Sequence, residues 1–169
     1  MLKSIVEIVM GSDSDIFIME EAEEVLKEFK IPYSVRIISA HRTPDIAGEY
    51  GRNLLKRGVR VIIAGAGAAA HLAGAIASHT TIPVIGVPLS TSPLSGIDSL
   101  LSTVQMPGGI PVATMAIGKA GAKNAAIFAV QILSLEDKKL AEALKNYKKK
   151  MADEVVEKDR KLRKAKSTK

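Results

Sequence analysis

From Val61 to Ile97 the chain carries no aspartate, glutamate, lysine or arginine. No other feature restricts the possible folds so severely. A stretch this long without charge belongs either in a membrane or in a tightly packed core. Its interior decides against the membrane. Gly65, Gly67, His71, Gly74, His79, Pro83, Gly86 and Pro88 cut it into short pieces, and no aromatic belt flanks it. What remains is a set of strand-length apolar runs separated by turn formers, as in a buried parallel sheet with its connections. Loops so poor in charge are badly solvated on a monomer's surface, which points to burial against a second subunit.

The alternation continues on both sides. Ile5 to Met10 is apolar enough for a central strand, with one acidic residue inside it. Gly11-Ser12-Asp13-Ser14-Asp15 is a loop of turn formers. Met19, Ala22, Val25, Leu26 and Phe29 then recur at helical spacing, with Ser14 or Asp15 placed to cap. Ile31-Pro32 ends that helix, and Tyr33 to Ser39 predicts a second strand. Thr43-Pro44-Asp45 opens a second helix and Lys56-Arg57-Gly58 closes it. Arg60 to Ala64 predicts the third strand, Gly65-Ala66-Gly67 its tight exit, and residues 69–78 a helix of small residues. Pro83 to Pro88 and Val112 to Ile117 predict two further strands, separated by a loop and a helix carrying Leu100, Leu101 and Val104. Gly118-Lys119-Ala120-Gly121 turns into an Ala-rich helix through Leu133, and a last helix over residues 136–156 ends in a fraying Lys/Arg tail. Strands alternating with helices mean a parallel sheet covered on both faces. The expected fold is a three-layer α/β/α sandwich, flavodoxin-like and doubly wound, with five strands and an extended C-terminal helix.

A chain of 169 residues fits one α/β domain, 1–135, with residues 136–169 as a C-terminal helix and basic tail packing on the same or a neighbouring subunit. The net charge of +6 looks like a hint of nucleic acid, but its location argues otherwise. Residues 136–169 hold 13 Lys/Arg against 7 Asp/Glu, while residues 1–135 hold 11 of each. The body is neutral, and a basic tail poor in aromatics is a solvated helix sooner than a nucleic-acid reader. With no cysteine, neither a disulfide nor a thiol nucleophile is available. Three histidines without metal-ligand spacing give no metal site. The N-terminus enters a strand pattern directly, without the marks of a signal peptide, so a cytoplasmic location is expected.

Ser39-Ala40-His41-Arg42-Thr43-Pro44 sits where the second strand ends and a helix begins, the edge at which ligands bind in open α/β sheets. Arg42 offers a planar fork for phosphate, and His41 is a proton carrier near neutral pH. The loop after the first strand offers backbone N–H groups and serine hydroxyls to an anion. Ser12 is assigned to phosphate or ribose, and Asp15, which would repel phosphate, to a sugar hydroxyl. The alternative is that Ser14 and Asp15 only cap the helix. Gly65 to Gly74 brings His71 to a helix start among residues small enough for close backbone approach, Gly67 among them. The bland reading of His71 is a packed, satisfied histidine. His79 reads as a partner for a helix C-terminus, and Asp98 as part of a lid or a helix cap. Gly118-Lys119-Ala120-Gly121 is an anion site or only a turn. The absence of Walker and GxGxxG patterns leaves ATP and NAD readings without support.

Taken in order, Gly11 to Asp15, Ser39 to Pro44, Ala64 to Gly74, Leu94 to Leu101, Val104 to Pro107, Gly109 to Thr114 and Ala116 to Ala122 resemble the 5-(carboxyamino)imidazole ribonucleotide mutase family of bacterial purine biosynthesis. The resemblance covers Ile5 to Leu133. It implies an isomerase that uses no ATP, metal or organic cofactor, assembles as a homo-octamer with its sites at subunit contacts, and takes a small-molecule ribonucleotide. Nucleic acid and membrane have no part in it. It matches Ser12, Asp15 and Arg42 to substrate-binding positions, His41 to the catalytic histidine, and Ser39 to a phosphate-side serine. His71, Gly67 and Gly11 fall in the family's substrate loops. A closed apolar pocket is expected to retain carbon dioxide between its loss from nitrogen and its addition to carbon. A related class carboxylates aminoimidazole ribonucleotide directly, and typically carries lysine after the motif histidine and Ser-Asn-Ala in the third loop. This chain has Arg42 and Ala69-Ala70-His71, so the mutase is favoured. Ala73 stands where proline is common in the family.

Overall fold

The computed structural model describes residues 4–167. Its strands are β1 (Val6–Met10), β2 (Tyr33–Ile37), β3 (Val61–Gly67), β4 (Val84–Leu89) and β5 (Ala113–Thr114). Its helices are α1 (Ile16–Glu28), α2 (Pro44–Arg57), α3 (Leu72–Ala77), α4 (Ile97–Val104), α5 (Lys119–Ser134) and α6 (Lys138–Ser167). The strands form one parallel sheet in the order β2-β1-β3-β4-β5. Among the described residues no helix is long and apolar enough to cross a membrane.

The period of two along β1 sorts its side chains between the layers. Val6, Ile8 and Met10 join the core beneath α1 and α5, with Met19, Ala22, Leu26, Ala122, Ala125, Ala126 and Ala129. Val9 joins the core beneath α2 and α3, with Ala47, Tyr50, Leu54, Leu72 and Ile76. The alanines of α5 bring its axis close to the sheet and to α1, and Gly65 does the same on β3, where a Cβ would press on Met19 Sδ. Pro44 starts α2 and left-handed Gly58 (φ 79°) ends it, as the sequence directs.

Three elements differ from the expectation. β3 runs on through Gly65, Ala66 and Gly67, which pair with Val87, Pro88 and Leu89; the glycines are strand, not exit. That extension moves the start of α3 to Leu72. β5 is only two residues, because Pro111 cannot donate to a ladder and Gly118 turns the chain away. α6 does not fray after Val156 but stays helical to Ser167, carried by intrahelical pairs such as Arg160–Glu157 and Arg163–Asp159.

Glu7, the acidic residue inside β1, is fully buried on the α2 side of the sheet. Arg57 Nη2 donates to its Oε1 at 2.5 Å, Tyr50 Oη to its Oε2 at 2.8 Å, and Ser4 Oγ to its Oε1 at 3.0 Å. A buried carboxylate is tolerable only with its lone pairs engaged this way. Burial first, and then the neighbouring charge, drives the Tyr50 hydroxyl far above the usual phenol range, so it is a permanent donor. Tyr50→Phe should cost about 1.5–3 kcal/mol, the range for a hydrogen bond to a charged group. A urea titration should show a lower midpoint with an unchanged slope.

Candidate active site

The carboxyl ends of β1, β2 and β3, with the start of the segment after β4, surround one cavity of about 390 Å³. Strand order reverses between β1 and β3, so their exit loops diverge to opposite faces and leave a crevice. Gly11, Ser12, Asp15, Ser39, His41, Arg42, Gly67 and His71 all line it.

After β1 the chain makes a 3-10 turn, Asp13–Asp15, before α1. Ser12 caps that turn: its hydroxyl oxygen accepts from the Ser14 N–H at 3.4 Å, and its own N–H donates to Asp15 Oδ2 at 3.1 Å. The cap is therefore Ser12 rather than Ser14, because the extra turn shifts the helix entry. Asp15 does occupy the α1 cap position, but its carboxylate reaches back to Ser12. Asp15 is 4% exposed, and burial pushes its carboxyl above the usual range against the pull of its Ser12 and Ser14 hydrogen bonds. Exposed Asp13 is held below that range, chiefly by the Ser12 hydroxyl.

After β2, Ser39 Oγ accepts from the Arg42 N–H at 3.1 Å and from Arg42 Nε at 3.4 Å. Arg42 Nη2 donates to the Gly11 carbonyl at 3.0 Å, tying the second loop to the first. The guanidinium keeps further N–H donors for an anion.

After β3 the backbone is strained. Ala68 (φ 50°) and Ala70 (φ 26°) are non-glycine residues on the left-handed side. They deliver His71 to the head of α3, where its Nδ1 lies 2.6 Å from His41 Nε2, the rings edge-on with centroids 4.8 Å apart. One of those nitrogens carries the proton and the other accepts it. The pair bridges the loops after β2 and β3.

Thr91 lines the same cavity and was missed in the sequence. Its hydroxyl sits where a Cβ on Gly67 would be, so glycine at 67 is required by this approach. A lone threonine in a charge-free loop carries no signal of that contact. The other candidates lie elsewhere. His79 packs its ring beside Gly48 and its Cβ beside Gly51 of α2. Asp98 accepts from Ser92 Oγ at 2.8 Å and pins the loop before α4. Lys119 lies 3.8 Å from the Phe17 ring centroid and pairs with Glu21 at 3.1 Å, so it joins α5 to α1 rather than binding an anion. Among the described residues no cluster of His, Asp and Glu is arranged to hold a metal ion. The cavity is also less enclosed than expected: Ala66, Ala68, Ala70 and Leu72 give it an apolar wall, but His41, Arg42 and His71 are exposed in a single chain.

Fold and site together define a doubly wound α/β protein that presents an exposed arginine and a paired imidazole at its switch point. The chain belongs to the AIR carboxylase family, whose sequence model matches residues 5–154. It is 56% identical to the N5-carboxyaminoimidazole ribonucleotide mutase of Thermotoga maritima, over 93% of this chain and 91% of that protein. It is 53% identical to the protein of the same name from Escherichia coli K12, over 90% of each. The crystal structure of Treponema denticola PurE superposes with a TM-score of 0.84 at 33% identity, covering 93% of this chain and 97% of that one.

Because burial raises the Asp15 carboxyl, the folded protein holds more protons than the unfolded chain between the unfolded and folded pKa values. The contribution of this group to stability therefore falls as pH rises through that window, and above it the ionised carboxylate is a net cost. Asp15→Asn keeps one acceptor oxygen and loses the charge. Its melting temperature should exceed that of the parent at pH 7, and the advantage should vanish as pH falls toward about 3, below the ordinary aspartate range. Thermal melts of both proteins across that range check it.

Proposed function

We propose that this protein is an isomerase of de novo purine biosynthesis that converts N5-carboxyaminoimidazole ribonucleotide to 4-carboxy-5-aminoimidazole ribonucleotide. The observation that carries the reading is the joining of a histidine pair to an arginine clamp across one crevice, His41 to His71 and Arg42 to Gly11. The names of the relatives from T. maritima and E. coli support it.

In this reading Ser39 and Arg42 receive the phosphate, and Ser12 and Asp15 the ribose. Gly11 and Gly67 let the backbone approach. The bond from the exocyclic nitrogen to its carboxylate breaks, its electron pair returns to nitrogen, and carbon dioxide is released. His41 supplies the proton that nitrogen then needs. The freed amine makes ring carbon C4 electron-rich, C4 attacks carbon dioxide, and His41 removes the C4 proton to restore the aromatic ring. Every atom is conserved and no electron is exchanged, so the reaction requires only a proton carrier, an anion clamp and a means of holding a gas molecule. The alanine wall suits that last task, and a neighbouring copy is proposed to close the open side. The exposed apolar face formed by Leu94, Ile97, Leu101 and Val104 supports an assembly of copies, the homo-octamer of the family resemblance. The cytoplasm is the proposed location.

His41→Asn should lower turnover of the carbamate ribonucleotide at least about a hundredfold, with binding retained. The assay follows C4-carboxylate formation without added ATP or metal, and intact turnover in the variant would remove His41 from its role. In buffer containing ¹³C-bicarbonate, the mutase should place little label in product made from the carbamate substrate. A direct carboxylase would instead require bicarbonate and incorporate it fully.

A further inference from the structure

Thr91 enters the cavity from the segment after β4, and no step of the reaction proposed above uses it. The other polar side chains that line the cavity are already engaged within the protein. The serines and aspartates of the first loop bond to one another, Ser39 bonds to Arg42, Arg42 to the Gly11 carbonyl, and His41 to His71. Among the described residues, the Thr91 hydroxyl has no hydrogen-bond partner. It is held in place all the same. Two residues before it, Leu89 pairs with Gly67 at the end of the sheet, and the Leu89 carbonyl accepts from Ser99 Oγ at 2.9 Å. One residue after it, Ser92 Oγ donates to Asp98 Oδ1 at 2.8 Å. Its own Oγ1 rests against the bare face of Gly67, in the space a Cβ would need. A hydroxyl anchored on both sides and left unbonded at a cavity wall is a donor ordered in advance of its ligand.

We infer that Thr91 donates a hydrogen bond to the migrating carboxylate of the ligand, an inference that rests on the reaction proposed above. Position selects the group. The Arg42–Gly11 contact spans the ends of β2 and β1, and Thr91 follows β4, two strands beyond β1 and so about 10 Å away. A ribonucleotide whose phosphate lies at Arg42 therefore turns its heterocycle toward β3 and β4, along the alanine wall. Charge selects it too. Besides Arg42, no lysine or arginine lines the cavity among the described residues. Phosphate takes the guanidinium, and a single neutral donor suits a singly charged carboxylate. The two carboxyl positions hang from adjacent ring carbons, one of them through the exocyclic nitrogen, so one donor reaches both. A hydroxyl bonds an ionised carboxylate well and neutral carbon dioxide hardly at all. Thr91 thus holds the carboxyl group at the start and at the end of the reaction and lets it go between. Its contribution lies in ground-state binding, and it distinguishes a carboxylated ribonucleotide from a bare one.

Two ribonucleotides that differ only in this group test it. 4-Carboxy-5-aminoimidazole ribonucleotide bears the carboxylate, and aminoimidazole ribonucleotide lacks it. Isothermal titration calorimetry compares both on the full-length parent, on Thr91→Val, which keeps the shape without the hydroxyl, and on Thr91→Ser, which keeps the hydroxyl. Thr91→Val should weaken the carboxylated ligand about ten- to a hundredfold, the range for a hydrogen bond to a charged group, and the bare ligand less than about twofold. Thr91→Ser should bind both within about threefold of the parent. In turnover of the carbamate substrate, the loss of kcat/KM in Thr91→Val should fall mainly on KM, in contrast to His41→Asn. Equal weakening of both ligands would mean that Thr91 only shapes the Gly67 loop or meets the ring amine, and unchanged affinity for both would mean that the hydroxyl faces solvent. Either result overturns the inference and leaves the proposed reaction standing. A parent protein that binds neither ribonucleotide would remove both. Thr91 is exposed, so the three proteins should share one melting temperature. Unfolding of Thr91→Val alone would assign the hydroxyl to the fold and equally overturn the inference.

Discussion

Everything in this molecule that bears on chemistry follows from the reversal of strand order between β1 and β3. After β1 the chain crosses to one face through α1, and after β2 it returns over the other through α2. The two central strands thus send their loops apart, and parallel strands place all those loops at the same edge. The crevice is a consequence of winding, and two bonds span it. Arg42 joins the second loop to the first at the Gly11 carbonyl, and His41 joins it to the third at His71. The hexapeptide after β2 is the middle member of both, so its adjacent histidine and arginine reach two different loops.

The site is built at some expense to stability. Asp15 is buried where its charge is disfavoured, and Ala68 and Ala70 hold backbone conformations that alanine avoids. Both costs fall on residues that line the cavity, and neither is needed to close the hydrophobic cores. Glu7 is the instructive contrast. It too is a buried carboxylate in the central strand, but Tyr50, Arg57 and Ser4 engage it fully, away from the crevice. A carboxylate engaged by Tyr50, Arg57 and Ser4 stiffens the sheet, whereas Asp15 beside the cavity is held by longer bonds, from the Ser12 N–H at 3.1 Å and Ser14 Oγ at 3.5 Å.

The layer order and most helices were legible because apolar period and punctuation agreed: Pro44 and Gly58 bound α2, and α1 shows one clean apolar face. The candidate side chains were legible as types, since loops at strand ends that carry serine, histidine and arginine announce themselves. What escaped the sequence was contact geometry. Glycine and alanine are compatible with strand, turn or helix, so the end of β3 could not be read from Gly65-Ala66-Gly67. The cap at Ser12 depended on one extra turn, and Thr91 depended on the absence of a side chain at Gly67. The persistence of α6 escaped for a different reason. A charge-rich tail looks like coil until its acids and bases are counted at helical spacing, where Glu157 and Asp159 meet Arg160, Lys161 and Arg163 one turn on.

A reaction that moves one carboxylate within one molecule sets an unusual requirement. The intermediate that must not escape is a small, uncharged gas with no handle for a hydrogen bond. Electrostatics can hold the ribonucleotide but not the carbon dioxide, so retention has to come from walls. One chain lines the crevice with apolar Ala66, Ala68, Ala70 and Leu72 and leaves His41, Arg42 and His71 exposed. The same chain exposes apolar Ile97, Leu101 and Val104 along α4. In the proposed assembly, enclosure and association become one problem with one answer: the copies that cover those apolar surfaces also close the open side of the crevice.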